Sequence, residues 1–230
     1  MIHKNYRCEF YFIRHGQSKS NATPGMAAGE NYDAPLTDLG IHQATALGER
    51  FRKQRIDFDR IYSSSLTRAI QTTNAMLSGM EKTDKTFELV DEIIEQQIKG
   101  WRGVPISEAI TTDVEISRAV KGKDFVPPDG ESIREVQRRA SNWIENEFIY
   151  NREFCSRPVS SRIAVVGHGN TSRAIFQYIM GFDERLIHRL GVDNTSISRF
   201  IFDSGGWSVA CLNDKAHLEG NLLGANETAV

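Results

Sequence analysis

The sequence predicts an α/β chain built as a three-layer αβα sandwich, with a mostly parallel central sheet and helices on both faces. Three observations carry that prediction. Short apolar runs of strand length alternate with segments of helical periodicity. Three of these runs end in polar or cationic residues, two of them opening directly into a helix, as strands do at the ligand-binding edge of an open α/β sheet. The alternation is broken once, by a polar, proline-punctuated stretch over residues 104–128 that reads as a small lid insertion. With 230 residues the chain can bury one sizeable core, and it is read as a single domain over 1–230 without an internal repeat.

The first strand is the run Cys8-Glu9-Phe10-Tyr11-Phe12-Ile13, too short to cross a membrane, and it delivers Arg14-His15-Gly16. A polar loop from Lys19 to Ala34 leads to a helix that Thr37 can cap and that turns Leu39, Ala44, Leu47 and Phe51 inward. The second strand, Arg60 to Ser64, opens into a helix with Arg68 in its first turn, where exposed N–H groups already favour an anion. Phe87 to Val90 makes a third strand. Within the lid one helix is predicted, Ile106 to Val120, between the breakers Pro105 and Gly122. The next helix, residues 131–150, carries the stripe Ile133, Val136, Ala140, Trp143, Ile144 and Phe148. Asp129 is taken as its N-cap, and Arg134, Glu135, Arg138 and Arg139 as its solvated face. A further strand, Arg162 to Gly167, delivers His168-Gly169-Asn170 and a helix through Tyr178. Two last strands, Ser196 to Phe202 and Trp207 to Leu212, flank the turn Asp203-Ser204-Gly205-Gly206, so one sheet edge is expected to be antiparallel. The tail, 213–230, lacks periodicity and is expected to be partly flexible.

Two strand exits thus each carry a histidine followed by a glycine, and a third brings an arginine. Taken with Gln17-Ser18 and Asn21, Pro35 to Gly40, Ser63 to Thr72, Glu95 to Gly103, and Gly130-Glu131-Ser132, the order and spacing resemble the histidine phosphatase superfamily, also called phosphoglycerate mutase-like. The resemblance implies that His15 is a nucleophile that becomes a phosphohistidine, that Arg14, Arg68 and His168 surround the phosphate oxygens, and that Glu95 donates the proton. Ser18 and Asn21 match family positions that approach the phosphate or the substrate; Gly169 and Asn170 at the helix start, Trp101 as an apolar wall beside Glu95 and Arg102 as a basic residue at the mouth are taken as further substrate-binding residues, with local turn or capping chemistry as the alternative for Ser18, Asn21 and Asn170. The Glu95 segment departs from the family pattern Glu-x-x-x-Gly-x-Trp-Glu-Gly, with Lys99 for the first glycine and Arg102 for the acidic residue. Glu92 therefore competes for the acid role.

The chemistry is arguable from the residues themselves. Phosphoryl transfer spreads charge over the equatorial oxygens, so catalysis is mainly positioning and electrostatic stabilisation. Arginine stays ionised and offers a planar fork to phosphate oxygens. One such charge pair at about 4 Å has a Coulomb energy of about 4 kcal/mol at an effective dielectric of 20, before desolvation. Several arginines around one dianion can do a metal's work, and neither metal nor cofactor is expected.

The expected activity is hydrolysis of a small phosphorylated metabolite with release of inorganic phosphate. A mutase would share every catalytic residue, as the segment His168 to Ala174 resembles the mutases, but the lid lacks their adjacent arginine pair and Ile98 stands where they carry tyrosine. A phosphate-binding scaffold without turnover is a third, weaker reading. A net charge of −2 gives no general attraction to nucleic acid or to an anionic membrane. Three cysteines without paired spacing point to reduced thiols and a cytoplasmic setting. Sequence leaves the oligomeric state open.

Overall fold

Side-chain alternation along the first strand builds two cores at once. The computed structural model describes residues 5–23, 25–27, 33–155 and 159–219. Its elements are β1 (Tyr6–Arg14), α1 (Asp38–Lys53), β2 (Arg60–Ser64), α2 (Thr67–Gly79), β3 (Glu88–Val90), α3 (Ile106–Ala109), α4 (Thr112–Lys121), α5 (Ile133–Ile144), α6 (Arg152–Cys155), β4 (Val159–Gly167), α7 (Gly169–Met180), β5 (Ile197–Asp203) and β6 (Gly206–Asp214). Phe10 and Phe12 of β1 face a core shared with Ile144, Phe148, Ile175 and Phe176. Tyr11 and Ile13 face the opposite one, with Leu47, Phe51 and Met76. A strand buried on both faces reads as a continuous apolar run, which is why β1 was legible without helical competition.

The sheet order is β3-β2-β4-β1-β5-β6. The first four strands are parallel and β5 and β6 are antiparallel, giving the mixed α/β sheet with helices around it. Register places the site. Arg14 lies opposite Gly167, and Ser63 opposite Val166. His15, His168 and Ser64, each one residue further on, therefore emerge side by side at the carboxyl edge.

Three local expectations are corrected. Asp129 does not cap α5; it sits in a turn at φ 47°, and Ser132 is the cap, its Oγ accepting from the Glu135 N–H while Glu135 accepts from the Ser132 N–H. The helix then continues as a π-helical turn over Glu145–Ile149. The lid holds two helices, α3 and α4, because Thr111 breaks the run and accepts from the Val114 N–H at 3.4 Å. Arg139 is not on a solvated face, since its side chain is 20% exposed and paired with Glu131. Strand β6 runs to Asp214, and the stretch behind it is docked: Arg50 pairs with Asp214 at 2.6 Å and Lys215 with Asp193 at 2.5 Å. The rest of the predicted tail, 220–230, and parts of the Lys19–Ala34 loop lie outside the described residues.

The base of the lid is tied to the loop after β1, with Ala27 N–H donating to the Val104 carbonyl at 2.9 Å and Ile106 N–H to that of Gly25 at 2.8 Å. Among the described residues no helix is long and apolar enough to cross a membrane.

Candidate active site

His15 is 2% exposed, and its ring is fixed at both nitrogens. Nδ1 lies 2.7 Å from the Gly16 carbonyl, which can only accept, so Nδ1 carries the proton and Nε2 keeps its lone pair. That lone pair accepts from Arg68 Nε at 3.1 Å. Burial, then Arg68 and Arg14, hold the imidazole well below its ordinary pKa, so it stays neutral and nucleophilic at physiological pH. The loop turning after it passes close under α1: a Cβ on Gly16 would sit 2.4 Å from the Gly40 carbonyl oxygen. Glycine is required at that contact, and it fixes the loop beneath the ring.

The His168 ring lies 5.1 Å from that of His15, centroid to centroid. Its Nε2 is 2.8 Å from Ser64 Oγ, and its buried Nδ1 has no hydrogen-bond partner among the described residues. Burial lowers its pKa, followed by Arg68, His15, Arg14 and Arg139. A neutral ring with an unanswered polar nitrogen is thus ready for a charged guest, because an arriving phosphate would favour its protonated, donating form.

The two flanking guanidiniums are held from a common wall. Arg14 Nη1 donates to the Val192 carbonyl at 2.8 Å, and Arg173 Nε to that of Leu190 at 2.9 Å. The same loop, at the start of β5, contributes Asn194 Nδ2 to the His15 carbonyl at 2.9 Å. It is anchored in turn by Asn213 and Lys215 on Asp193. Arg68, in the first turn of α2, is 5% exposed.

Glu95 caps a helix that lies far away in sequence. The α7 N-terminus has no side-chain cap of its own, and the Glu95 carboxylate accepts from Asn170 N–H at 3.3 Å and Thr171 N–H at 3.2 Å. The point where a Cβ on Gly169 would fall is 3.5 Å from Arg173 Nη1, 3.6 Å from Arg14 Nε and 3.8 Å from Glu95 Oε2. Arg14, Arg173 and Glu95 therefore converge beside the two histidines. Glu92 does not reach this place; it is exposed in the turn Asp91–Ile93, and its carbonyl is bound by Arg139.

The other residues singled out in the sequence are distributed unevenly. Gly169 and Asn170 are at the centre, and the Asn170 side chain bridges Gln96 at 3.0 Å and Arg173 at 3.1 Å. Ser18 and Asn21 hydrogen-bond each other, Ser18 Oγ donating to Asn21 Oδ1 at 3.0 Å and Asn21 N–H to Ser18 Oγ at 3.2 Å. This is turn chemistry, and Asn21 Oδ1 also accepts at 3.5 Å from Asn194 Nδ2, which donates to the His15 carbonyl. Trp101 is buried with its ring stacked on Phe125 at 6.1 Å, which places it at the root of the lid. Arg102 is exposed. Sequence reading missed Arg173, Ser64 and Gln96. Arg173 was signalled by its spacing, since a residue four beyond Gly169 shares its helix face.

Comparison with known proteins identifies the family and the fold. The family model of the histidine phosphatase superfamily (branch 1) matches residues 10–215. A protein named probable phosphoglycerate mutase GpmB from Yersinia pestis (strain Pestoides F) is 28% identical over 219 residues, 92% of this chain and 95% of that one. The structure of a histidine-to-alanine mutant of phosphoserine phosphatase from Entamoeba histolytica in complex with phosphoserine has a TM-score of 0.70 at 26% identity, covering 92% of this chain and 100% of that one. The phosphoglycerate mutase from Bacillus anthracis str. Sterne shares the fold, with a TM-score of 0.75 at 21% identity over 93% of this chain and 96% of that one.

Proposed function

The chain belongs to the histidine phosphatase superfamily, branch 1, and we propose that it is a metal-independent phosphomonoester hydrolase that works through a phosphohistidine on a small phosphorylated metabolite. The observation that carries this reading is the His15 ring, proton held on Nδ1 by the Gly16 carbonyl and Nε2 turned to Arg68. In the reaction Arg68 shifts its donors to the phosphoryl oxygens, and Nε2 attacks phosphorus. The bond to the leaving oxygen breaks as that oxygen takes a proton from Glu95. The positive charge that develops on the ring is shared with the Gly16 carbonyl. Arg14, Arg68, Arg173 and a now cationic His168 stabilise the three equatorial oxygens. Water then attacks phosphorus, its proton passes to Glu95, and the N–P bond breaks to release phosphate.

Glu95 is placed to deliver the proton by its position, its carboxylate lying at the α7 N-terminus on the Asn170 and Thr171 N–H groups. Hydrolysis is favoured over mutase activity because the lid segment, 104–128, carries no adjacent arginine pair and Ile98 replaces a tyrosine. Mutase activity is the second reading, supported by the name of the 28%-identical relative. The phosphoserine held by the Entamoeba relative makes phosphorylated hydroxy- and amino acids the first compounds to try.

The test is a panel of phosphomonoesters assayed with chelator present for phosphate release, alongside phosphoglycerate isomerisation. His15→Ala is expected to abolish turnover, and the trapped phosphoenzyme to be acid-labile and base-stable, as a phosphoramidate is. An acid-stable adduct would remove His15 from the role, and isomerisation faster than phosphate release would make the chain a mutase.

A further inference from the structure

The segment that carries Glu95 has little regular structure of its own. It lies between the short turns Asp91–Ile93 and Lys99–Trp101, so no strand ladder orients it. Thr171 of α7 holds it from the front, its Oγ1 donating to the Ile94 carbonyl at 2.6 Å, and α5 holds it from behind. Arg139 donates to the carbonyls of Glu92 at 2.5 Å, Ile94 at 2.9 Å and Glu95 at 3.4 Å. The same guanidinium holds both oxygens of Glu131, at 2.7 and 3.1 Å. Glu131 in turn accepts from Gln97 N–H at 3.1 Å, and its carbonyl accepts from Gln96 Nε2 at 2.8 Å. Gln96 then reaches Asn170, next to the bound carboxylate. With side chains 20% and 17% exposed, the pair is well shielded from solvent.

We propose that Arg139 and Glu131 are positioning residues for proton transfer: they fix the backbone of residues 92–97 from behind, so that the Glu95 carboxylate meets the leaving oxygen at the α7 N-terminus. The geometry favours this over plain structural support, because the contacts converge on the one segment that presents the acid. Five acceptors around one guanidinium also specify a direction, which a single surface ion pair does not. Arg139 sits on a helix whose start is set by the Ser132–Glu135 capping box, so the clamp has a rigid base. A misplacement of about 1 Å at a reacting group can cost about 100-fold in rate.

The inference rests on Glu95 being the acid, and the test separates the two. kcat and KM are measured for the parent enzyme, E95Q, R139Q, R139K and E131Q, on the alkyl phosphate hydrolysed fastest in the panel and on p-nitrophenyl phosphate, whose leaving group needs no proton. R139Q is expected to lose about 100-fold in kcat on the alkyl ester and at most about threefold on the aryl ester, with KM nearly unchanged. R139K and E131Q, which keep side-chain bulk, should show the same selective loss in smaller measure, and they decide the matter where R139Q does not fold. Equal losses on both esters in R139K and E131Q, beside a selective loss in E95Q, overturn the positioning role and leave the acid in place. Equal losses in E95Q overturn the acid itself, and failure to hydrolyse any alkyl ester overturns both.

Discussion

At the scale of single residues, the cage is made from side chains that leave strand ends together, and the one residue in it without a side chain is the most telling. A methyl group on Gly169 would meet Arg173 Nη1, Arg14 Nε and Glu95 Oε2 at 3.5, 3.6 and 3.8 Å, ordinary contact distances that need no backbone shift. Alanine in the first turn of α7 is also a better helix former than glycine, by up to about 1 kcal/mol. Gly169→Ala should therefore keep or raise the melting temperature while lowering kcat/KM by about tenfold or more, as the methyl takes the space where three polar tips meet. A lower melting temperature with unchanged kcat/KM would move the pocket elsewhere. His15, Arg14, Arg68 and His168 were legible in sequence because each directly follows or opens an element whose apolar pattern is strong. Arg173 and Ser64 were not, since their roles depend on partners, Leu190 and His168, that only the tertiary fold supplies.

At the scale of elements, the strands and their order of alternation could be read directly, whereas helix boundaries could not. Asp129 and Ser132 both suit an N-cap. The outcome was decided by Gly130 pairing with Ile98, which draws Asp129 into a turn, and by the reciprocal bonds between Ser132 and Glu135. The Ser-x-x-Glu spacing was present in the sequence and outranks a lone aspartate. The same kind of local competition split the predicted lid helix at Thr111. Ser132→Ala removes the hydroxyl that accepts from Glu135 N–H at 3.2 Å. Urea titration is expected to show a loss of about 1 kcal/mol in stability with an unchanged m-value. A loss below about 0.3 kcal/mol would mean that packing of Ile133 and Val136 alone sets the helix start. Residues 104–128, expected as a lid, are lightly packed: helix α4 has no buried residue, and Ile116 and Val120 are 57% and 81% exposed.

At the scale of the whole molecule, one edge of the sheet concentrates buried cationic and polar groups that the two apolar cores then have to keep in place. The cost of doing so has a definite pH dependence. His15 and His168 are 2% and 0% exposed, and both rings are held well below the ordinary histidine pKa, chiefly by burial and then by the neighbouring arginines. In the unfolded chain each returns to about 6.5. Below that pH the unfolded state binds protons that the folded state refuses, so stability must fall as the solution is acidified, by up to about 1.4 kcal/mol per pH unit for each ring. Between about pH 6.5 and 5 four histidines contribute to the slope, because desolvation also lowers His188 and His217, to about 4 each. Denaturant titrations across this window should show declining stability, and His168→Asn should reduce the slope by about one proton. If stability is flat from pH 6.5 to 5, the two imidazoles are already protonated in the folded chain, and a neutral nucleophile at His15 is ruled out.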